Sequence, residues 1–227
     1  MVGREQLLAM MREKVYKPLT ETELVEELGL SSNEAEQLGE LVSGLEQAGV
    51  VVRTRYGRLG LPEKMNLVVG RLQGNERGFA FLIAPERPQD VYIAASNLSG
   101  AMHGDRVIAR LLPRSEGKKD EGEVIRILER MNHRLVGRFE GGEHVGFCRP
   151  DERRIGQDIV IAHGATQGAQ TGDRIVVRIT QFPDGKRHLA TGVVEEVLGQ
   201  IGDPGVDVLA VMRQYDLPHE FPEEVKQ

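Results

Sequence analysis

With 227 residues, 40% of them apolar and 28% charged, and a formal net charge of −6, the chain has the composition of two or three small globular domains. That composition excludes an extended disordered polyelectrolyte, and no run approaches the roughly 20 apolar residues of a membrane span. The single cysteine, Cys148, excludes an internal disulfide and fits a reducing compartment. The N-terminus lacks the apolar run of a secretory signal, so the expected location is the cytoplasm, without membrane association. The six histidines are scattered, with no His-x-x-x-His pair and no cysteine partner, so no metal site is expected.

The negative charge is unevenly placed. Residues 1–65 carry 8 basic and 11 acidic groups, residues 66–199 carry 19 and 18, and residues 200–227 carry 2 and 6. The near-neutral middle permits phosphate binding if its cations gather on one face, because counterion release by Lys and Arg drives association with nucleic acid.

Leu7, Leu8, Met11 and Val15 recur at helical spacing before Pro18, which predicts a first helix over Arg4 to Val15. Thr20-Glu21-Thr22-Glu23 is a capping-box pattern for a second helix, with Leu24, Val25 and Leu28 as its apolar stripe and Gly29 as its C-cap. Ser31 or Ser32 caps a third, in which Ala35, Leu38, Leu41, Val42 and Leu45 share one side, ending near Gly49. Two β-prone arms around a glycine turn, Val50 to Leu61, follow. Three helices and a hairpin in residues 1–64 are the order of a winged helix, with Arg53, Arg55, Tyr56 and Arg58 on the wing. A small packing domain with a solvated hairpin fits the same pattern.

The strongest signal is an internal repeat. Asp90 to Arg110 aligns without gaps on Asp158 to Arg178, 68 residues later, with nine of 21 positions identical, among them Gly104-Asp105-Arg106 and Gly172-Asp173-Arg174. Each copy contains five β-prone runs between glycine-rich turns. In the first they fall near 67–73, 78–83, 90–94, 105–112 and 122–129. Five short strands in about 65 residues fit a small closed OB barrel, since closure removes the free edges. The expected architecture is therefore α+β and multidomain: a winged helix over 1–64, five-stranded OB barrels over 65–131 and 132–199, and a C-terminal segment over 200–227. The acidity and prolines of that last segment predict disorder or loose docking.

The ligand face of an OB fold is that of strands two and three, with the loops between strands one and two and between four and five. Alternation in Arg77-Gly78-Phe79-Ala80-Phe81-Leu82 puts Phe79 and Phe81 on one face, and Val91 and Ile93 make the better core pair, turning Tyr92 outward. Three aromatics then share a surface on which unpaired bases stack. The competing assignment buries both phenylalanines; that three of the chain's ten Phe and Tyr residues fall in this one pattern favours exposure. In the second copy Val160 replaces Tyr92 and Phe147 is the one phenylalanine of strand two. Its binding contribution would come from Phe147, His144 and phosphate contacts by Arg138, Arg149, Lys186 and Arg187, and a structural or spacing role is the alternative. Lys118 and Lys119 hold the corresponding loop positions in the first copy.

Arg77 to Leu82 resembles the first RNA-binding motif of cold-shock domains and Val91-Tyr92-Ile93 the second. Cold-shock proteins carry another aromatic late in strand one, where this chain has Gln73 and Gly74, so a smaller platform is expected. A winged helix, two cold-shock-type barrels with the Gly-Asp-Arg-Val/Ile signature, and the segment Leu198 to Gly205 are together similar to the start of the ribonuclease R family, within the ribonuclease II/RNB group. The resemblance covers nearly the whole chain, including Arg53 to Lys64 and Leu217 to Val225. It implies an RNA-binding region that guides single-stranded RNA, or structured RNA with a 3′ overhang, to a following Mg²⁺-dependent 3′-to-5′ hydrolytic domain.

That chemistry needs clustered aspartates around a metal. The chain has no adjacent Asp-Asp pair, and Asp203, Asp207 and Asp216 are separated. No catalytic residue, metal or cofactor is therefore expected in the chain itself, with Mg²⁺ belonging to the missing domain. The expected behaviour is a monomer that binds RNA without hydrolysing it, with the ribosome as a further partner. A winged-helix DNA-binding regulator and a ribosome-associated OB-fold protein are the competing functions; the acidic start of helix three, Asn33-Glu34-Ala35-Glu36, weighs against the first.

Overall fold

The computed structural model describes residues 3–13, 17–113, 119–141, 145–185, 188–215 and 217. The N-terminal part has three helices, α1 (Arg4–Glu13), α2 (Glu21–Leu28) and α3 (Ser32–Gln47), then a short antiparallel hairpin of β1 (Val52–Arg53) and β2 (Leu59–Gly60). Their apolar faces meet in one core that includes Leu7, Met11, Leu24, Leu38, Val42, Leu45 and Leu59. Val15, the expected last stripe residue of α1, lies outside the described residues.

The predicted capping box of α2 forms, and Ser31, one of the two expected caps of α3, makes a second box with Glu34. The Thr20 hydroxyl accepts the Glu23 amide at 3.2 Å while Glu23 accepts the Thr20 amide at 2.8 Å. At α3, Glu34 accepts both the amide and the hydroxyl of Ser31, which holds its carboxyl at about 2. Thr20→Ala removes one partner of a box that orients α2, and should cost about 1 kcal/mol by urea denaturation. The hairpin arms are shorter than the sequence suggests. Leu59 pairs across to Leu19 through two backbone hydrogen bonds, 2.6 and 3.0 Å, and Thr54 closes the turn by accepting the Arg58 amide, so few backbone groups remain for a longer ladder.

The repeat builds two closed barrels of the same topology. The first joins β3 (Leu67–Gly74), β4 (Ala80–Ile83), β5 (Val91–Ile93), β6 (Arg106–Leu111) and β7 (Glu121–Glu129) in the order β3-β4-β5-β7-β6, with β5 and β7 parallel. The second joins β8 (Arg134–Gly141), β9 (Val145–Pro150), β10 (Ile159–Ala162), β11 (Asp173–Gln181) and β12 (Thr191–Gln200) likewise, with β10 and β12 parallel. The Gly-Asp-Arg signature has a common physical role. Asp105 accepts the Met102 amide at 2.9 Å, and Asp173 accepts the Gln170 amide at 2.8 Å, so each carboxylate closes the turn that starts the fourth strand. Asp105 is fully buried and also accepts from the Met131 amide and the Arg130 guanidinium.

The barrels are packed against one another. Met102, from the first barrel's turn, lies in the core cluster of the second. Arg130 spans the junction, donating to Asp105 and the Gly100 carbonyl and stacking 4.4 Å from the Phe182 ring centroid. A Cβ at Gly74 would lie 2.2 Å from the Arg154 carbonyl oxygen, so only glycine permits this approach.

Over its described residues up to Tyr215, the C-terminal segment corrects the expectation of disorder or loose docking. Residues Val206–Gln214 form α4, whose Val206, Leu209 and Ala210 cover Val136, Val176 and Leu198 on the outside of the second barrel. Arg213 adds a bidentate pair with Glu196 at 2.6 and 3.0 Å, and Asp207 pairs with Arg174. The apolar stripe at i, i+3 and i+4 finds its partner in the cross-strand pair Val136–Val176. Residues 216 and 218–227 lie outside the described residues.

Candidate nucleic-acid interface

Strand alternation decides which side chains reach the outside of the first barrel. Ala80, Leu82, Val91 and Ile93 are buried in its core, while Phe81 and Tyr92 stand half-buried on its outer face. The assignment that would bury both phenylalanines is thereby excluded. Phe81 lies directly opposite Tyr92 on β5 and Gln73 on β3. Phe79, just before β4, completes a cluster with centroid separations of 5.7 Å to Phe81 and 5.4 Å to Tyr92, and Phe81 is 5.9 Å from Tyr92. Tilted and edge-on contacts of this kind are favourable, and partly exposed rings so fixed can each offer a face to an unpaired base.

The turn before β4 carries a cation two residues before Phe79. Asn75 accepts the Arg77 amide through its side chain and the Gly78 amide through its carbonyl, and Gly78 takes φ +90°, leaving Arg77 exposed. Lys119 is also exposed. Lys118, His144, Lys186 and Arg187 lie outside the described residues.

In the second barrel Phe147 is 38% exposed on the outer face of β9, opposite Glu140 and Val160, with no aromatic contact among the described residues. Arg138 stands opposite Arg149 on one side and Arg174 on the other, a row of three arginines across β9, β8 and β11. Arg174 is held by Asp151 at 3.1 Å and by Asp207, and Arg149 lies 3.5 Å from both Glu140 and Asp158. The sequence reading included Arg138 and Arg149 and missed Arg174. The repeat carries the signal, since Arg71 and Arg106 oppose each other in the first barrel as Arg138 and Arg174 do in the second.

The hairpin carries all four residues expected on it, in two different settings. Arg53 grips Glu46 and reaches Glu21 at 2.5 Å, and Arg58 binds Glu23 and the Pro18 carbonyl, so both clamp the hairpin to its own helices. Tyr56 is 72% exposed at the tip, with the Arg55 guanidinium 4.7 Å above its ring.

No group of three or more His, Cys, Asp or Glu side chains that could hold a metal ion occurs among the described residues. Burial pushes the Cys148 thiol up to about 12, so it is no nucleophile near neutral pH. No helix among the described residues is long and apolar enough to cross a membrane.

His103 sits at the junction of the barrels, its Nδ1 accepting the Gly74 amide at 3.2 Å. Burial, then the Arg154 guanidinium, lower its pKa, against the opposing influence of Glu152 and Asp105. The unfolded chain protonates this imidazole near its ordinary value of about 6.5, whereas the folded chain resists until lower pH. Stability contributed by neutral His103 is therefore complete above that value and lost as pH falls through the lowered one. The melting temperature should drop on acidification from neutrality, and His103→Gln should flatten that drop; equal slopes for both proteins would refute the assignment.

The chain matches the family model described as Ribonuclease B OB domain over residues 70–127 and the Cold shock domain model over residues 147–222. It is 34% identical to ribonuclease R of Acidithiobacillus ferrooxidans over 99% of its own length and 51% of that protein's. Against ribonuclease R of Escherichia coli the identity is 33%, over 94% of this chain and 26% of the relative. The chain thus spans between about a quarter and about half the length of the relatives it matches. Its fold is similar to that of Mycoplasma genitalium RNase R in the apo form, with TM-score 0.59 and 23% identity over 70% of this chain and 26% of that one. It is also similar to yeast Ssd1, a pseudonuclease, with TM-score 0.57 and 17% identity over 67% of this chain and 25% of that one.

Proposed function

We propose that this chain, homologous to ribonuclease R along nearly its whole length, is the RNA-binding region of a ribonuclease R-type 3′-to-5′ exoribonuclease. It guides single-stranded RNA, or structured RNA with a 3′ overhang, toward a catalytic domain. The observation that carries this reading is the ring cluster Phe79–Phe81–Tyr92 on the outside of β4 and β5, the face on which OB folds take single strands. Arg77, Lys118 and Lys119 in the first barrel, and Arg138, Phe147, Arg149, Lys186 and Arg187 in the second, serve as its phosphate and secondary base contacts. The M. genitalium RNase R has also been solved in complex with ribose methylated single-stranded RNA, which agrees with this choice of ligand.

In this reading residues 1–64 are a winged helix with Arg55 and Tyr56 at the free tip of its wing, 65–131 and 132–199 are the two cold-shock-type units, and 200–227 lead toward the catalytic domain. Mg²⁺ belongs to that domain, and the chain itself binds RNA as a cytoplasmic monomer without cleaving it. A DNA-binding regulator is less well supported. Glu36 and Glu40 are exposed on α3 and Arg53 and Arg58 are occupied by internal carboxylates, which leaves few cations for duplex phosphates.

Fluorescence anisotropy of a labelled single-stranded RNA across a salt series tests this, with the RNA run on a gel after incubation in Mg²⁺. For three to five phosphate contacts, log K should fall against log salt with a slope of about −2 to −3.5, and the RNA should stay intact. Absence of binding at low salt would overturn the reading. Shortened RNA would overturn its non-catalytic part.

A further inference from the structure

Between the helical unit and the first barrel runs a groove of about 1060 Å³. Its walls are the α3–β1 turn at Ala48–Val50, the linker at Pro62–Glu63, and the segment after β4 at Pro85–Arg87. Its floor is the outside of β3 and β4. There Arg71 lies directly opposite Ile83 on one side and Arg106 on the other. This row is two residues along the strands from Gln73, Phe81 and Tyr92, about 6.6 Å at the usual rise, and on the same face. The floor of the groove and the aromatic cluster are thus one continuous sheet surface.

The chemistry changes along that surface. Ile83, 41% exposed, continues the apolar strip beyond Phe81. Four arginines, Arg12, Arg71, Arg87 and Arg106, line the groove against two glutamates, Glu63 and Glu86. Two of the four are locally neutralised, Arg71 by Glu129 at 3.3 Å and Arg87 by Asp120 at 2.6 Å. Arg106 donates to the uncharged Ala48 carbonyl, and Arg12 reaches Glu63 only at 3.9 Å. An apolar strip beside cations of this kind suits a chain of bases joined by phosphates.

We propose that the helical unit and the first barrel together form the continuation of the single-strand site. The RNA segment next to the bases on Phe79, Phe81 and Tyr92 passes over Ile83 into this groove, its phosphates near Arg106. The helical unit then acts as one wall of a single-strand channel. This rests on the platform reading above, and the test separates the two.

Thiouridine-substituted RNA of about twelve nucleotides, within the range that OB-type sites occupy, is irradiated with the full chain and the adducts are mapped. In parallel, affinity is measured for that RNA and for one of about four nucleotides, on wild type and Ile83→Glu. The variant places a like charge on an exposed floor position, and its melting temperature should match wild type. Expected are adducts on both the platform and the 83–87 or 48–50 walls, with Ile83→Glu weakening the longer RNA roughly tenfold and the shorter less than about twofold. Adducts on the platform alone, with Ile83→Glu binding both RNAs as wild type does, would overturn the groove and leave the platform standing. Failure of wild type to bind or crosslink at the platform would overturn both.

Discussion

Replacing Phe79, Phe81 and Tyr92 together by alanine is expected to weaken single-stranded RNA binding at least roughly 100-fold while leaving the chain folded. Base–aromatic stacking contributes about 1–3 kcal/mol per base by alanine substitution. The three contributions are not additive, because the rings buttress one another at 5.4 to 5.9 Å. A loss of about 3 kcal/mol is the conservative sum, corresponding to more than two decades in Kd. The barrel should survive because its interior at this place is Ala80, Leu82, Val91 and Ile93, none of which changes. Losing the mutual ring contacts should cost about 1–2 kcal/mol of stability. Anisotropy and a urea melt on the same sample separate the two effects. Unchanged affinity in the folded triple variant would remove the platform from the binding surface.

The largest stability effect is expected from Asp105→Ala. The carboxylate is fully buried and serves two backbone amides, Met102 and Met131, and the Arg130 guanidinium at 2.8 Å. Removing it strands a mostly buried cation, one buried amide donor and one part-buried one, which costs about 3–5 kcal/mol. That is a large part of a small domain's total of roughly 5–15 kcal/mol. Arg130 also holds Gly100 and stacks on Phe182, so the barrel–barrel junction should loosen with it. Asp173→Ala, at the equivalent place in the second barrel, should cost less, about 1–3 kcal/mol. That carboxylate closes its turn and accepts from the Gln200 side chain, which are neutral donors. Urea denaturation of both variants checks the order; equal losses would contradict the weight given to Arg130.

Much of this was legible where short-range pattern and long-range packing agree. Thr20 announces its helix through the glutamate three residues on, and a serine at 31 or 32 marks the start of the next. The alternation Phe79-Ala80-Phe81-Leu82 fixes which side chains enter the barrel, because small Ala80 and apolar Leu82 are the pair that fits inside. The repeat exposed a shared turn that Asp105 and Asp173 close in the same way.

What escaped depends on partners distant in sequence. Arg53 and Arg58 look like free wing cations until Glu46, Glu21 and Glu23 are brought beside them. Helix α4 was missed because its stripe of Val206, Leu209 and Ala210 is short, and what it covers is a valine pair on β8 and β11. The arginine row Arg149–Arg138–Arg174 needed strand register, which the sequence of any one strand does not contain. The groove beside Arg71 needed the placement of the helical unit on the first barrel, which the Arg106–Ala48 hydrogen bond and the packing of Gly49 on Leu128 and Val69 fix.

The central claim, that the outer face of β4 and β5 takes single-stranded RNA by stacking, is tested most directly by aromatic ¹H–¹³C NMR during titration with a short oligouridylate. Ring protons of Phe79, Phe81 and Tyr92 should move upfield as bases stack on them, with Phe147 moving less and the buried Phe139 not at all. Bound RNA with those three rings unmoved, or with the changes gathered on α3 instead, would contradict it.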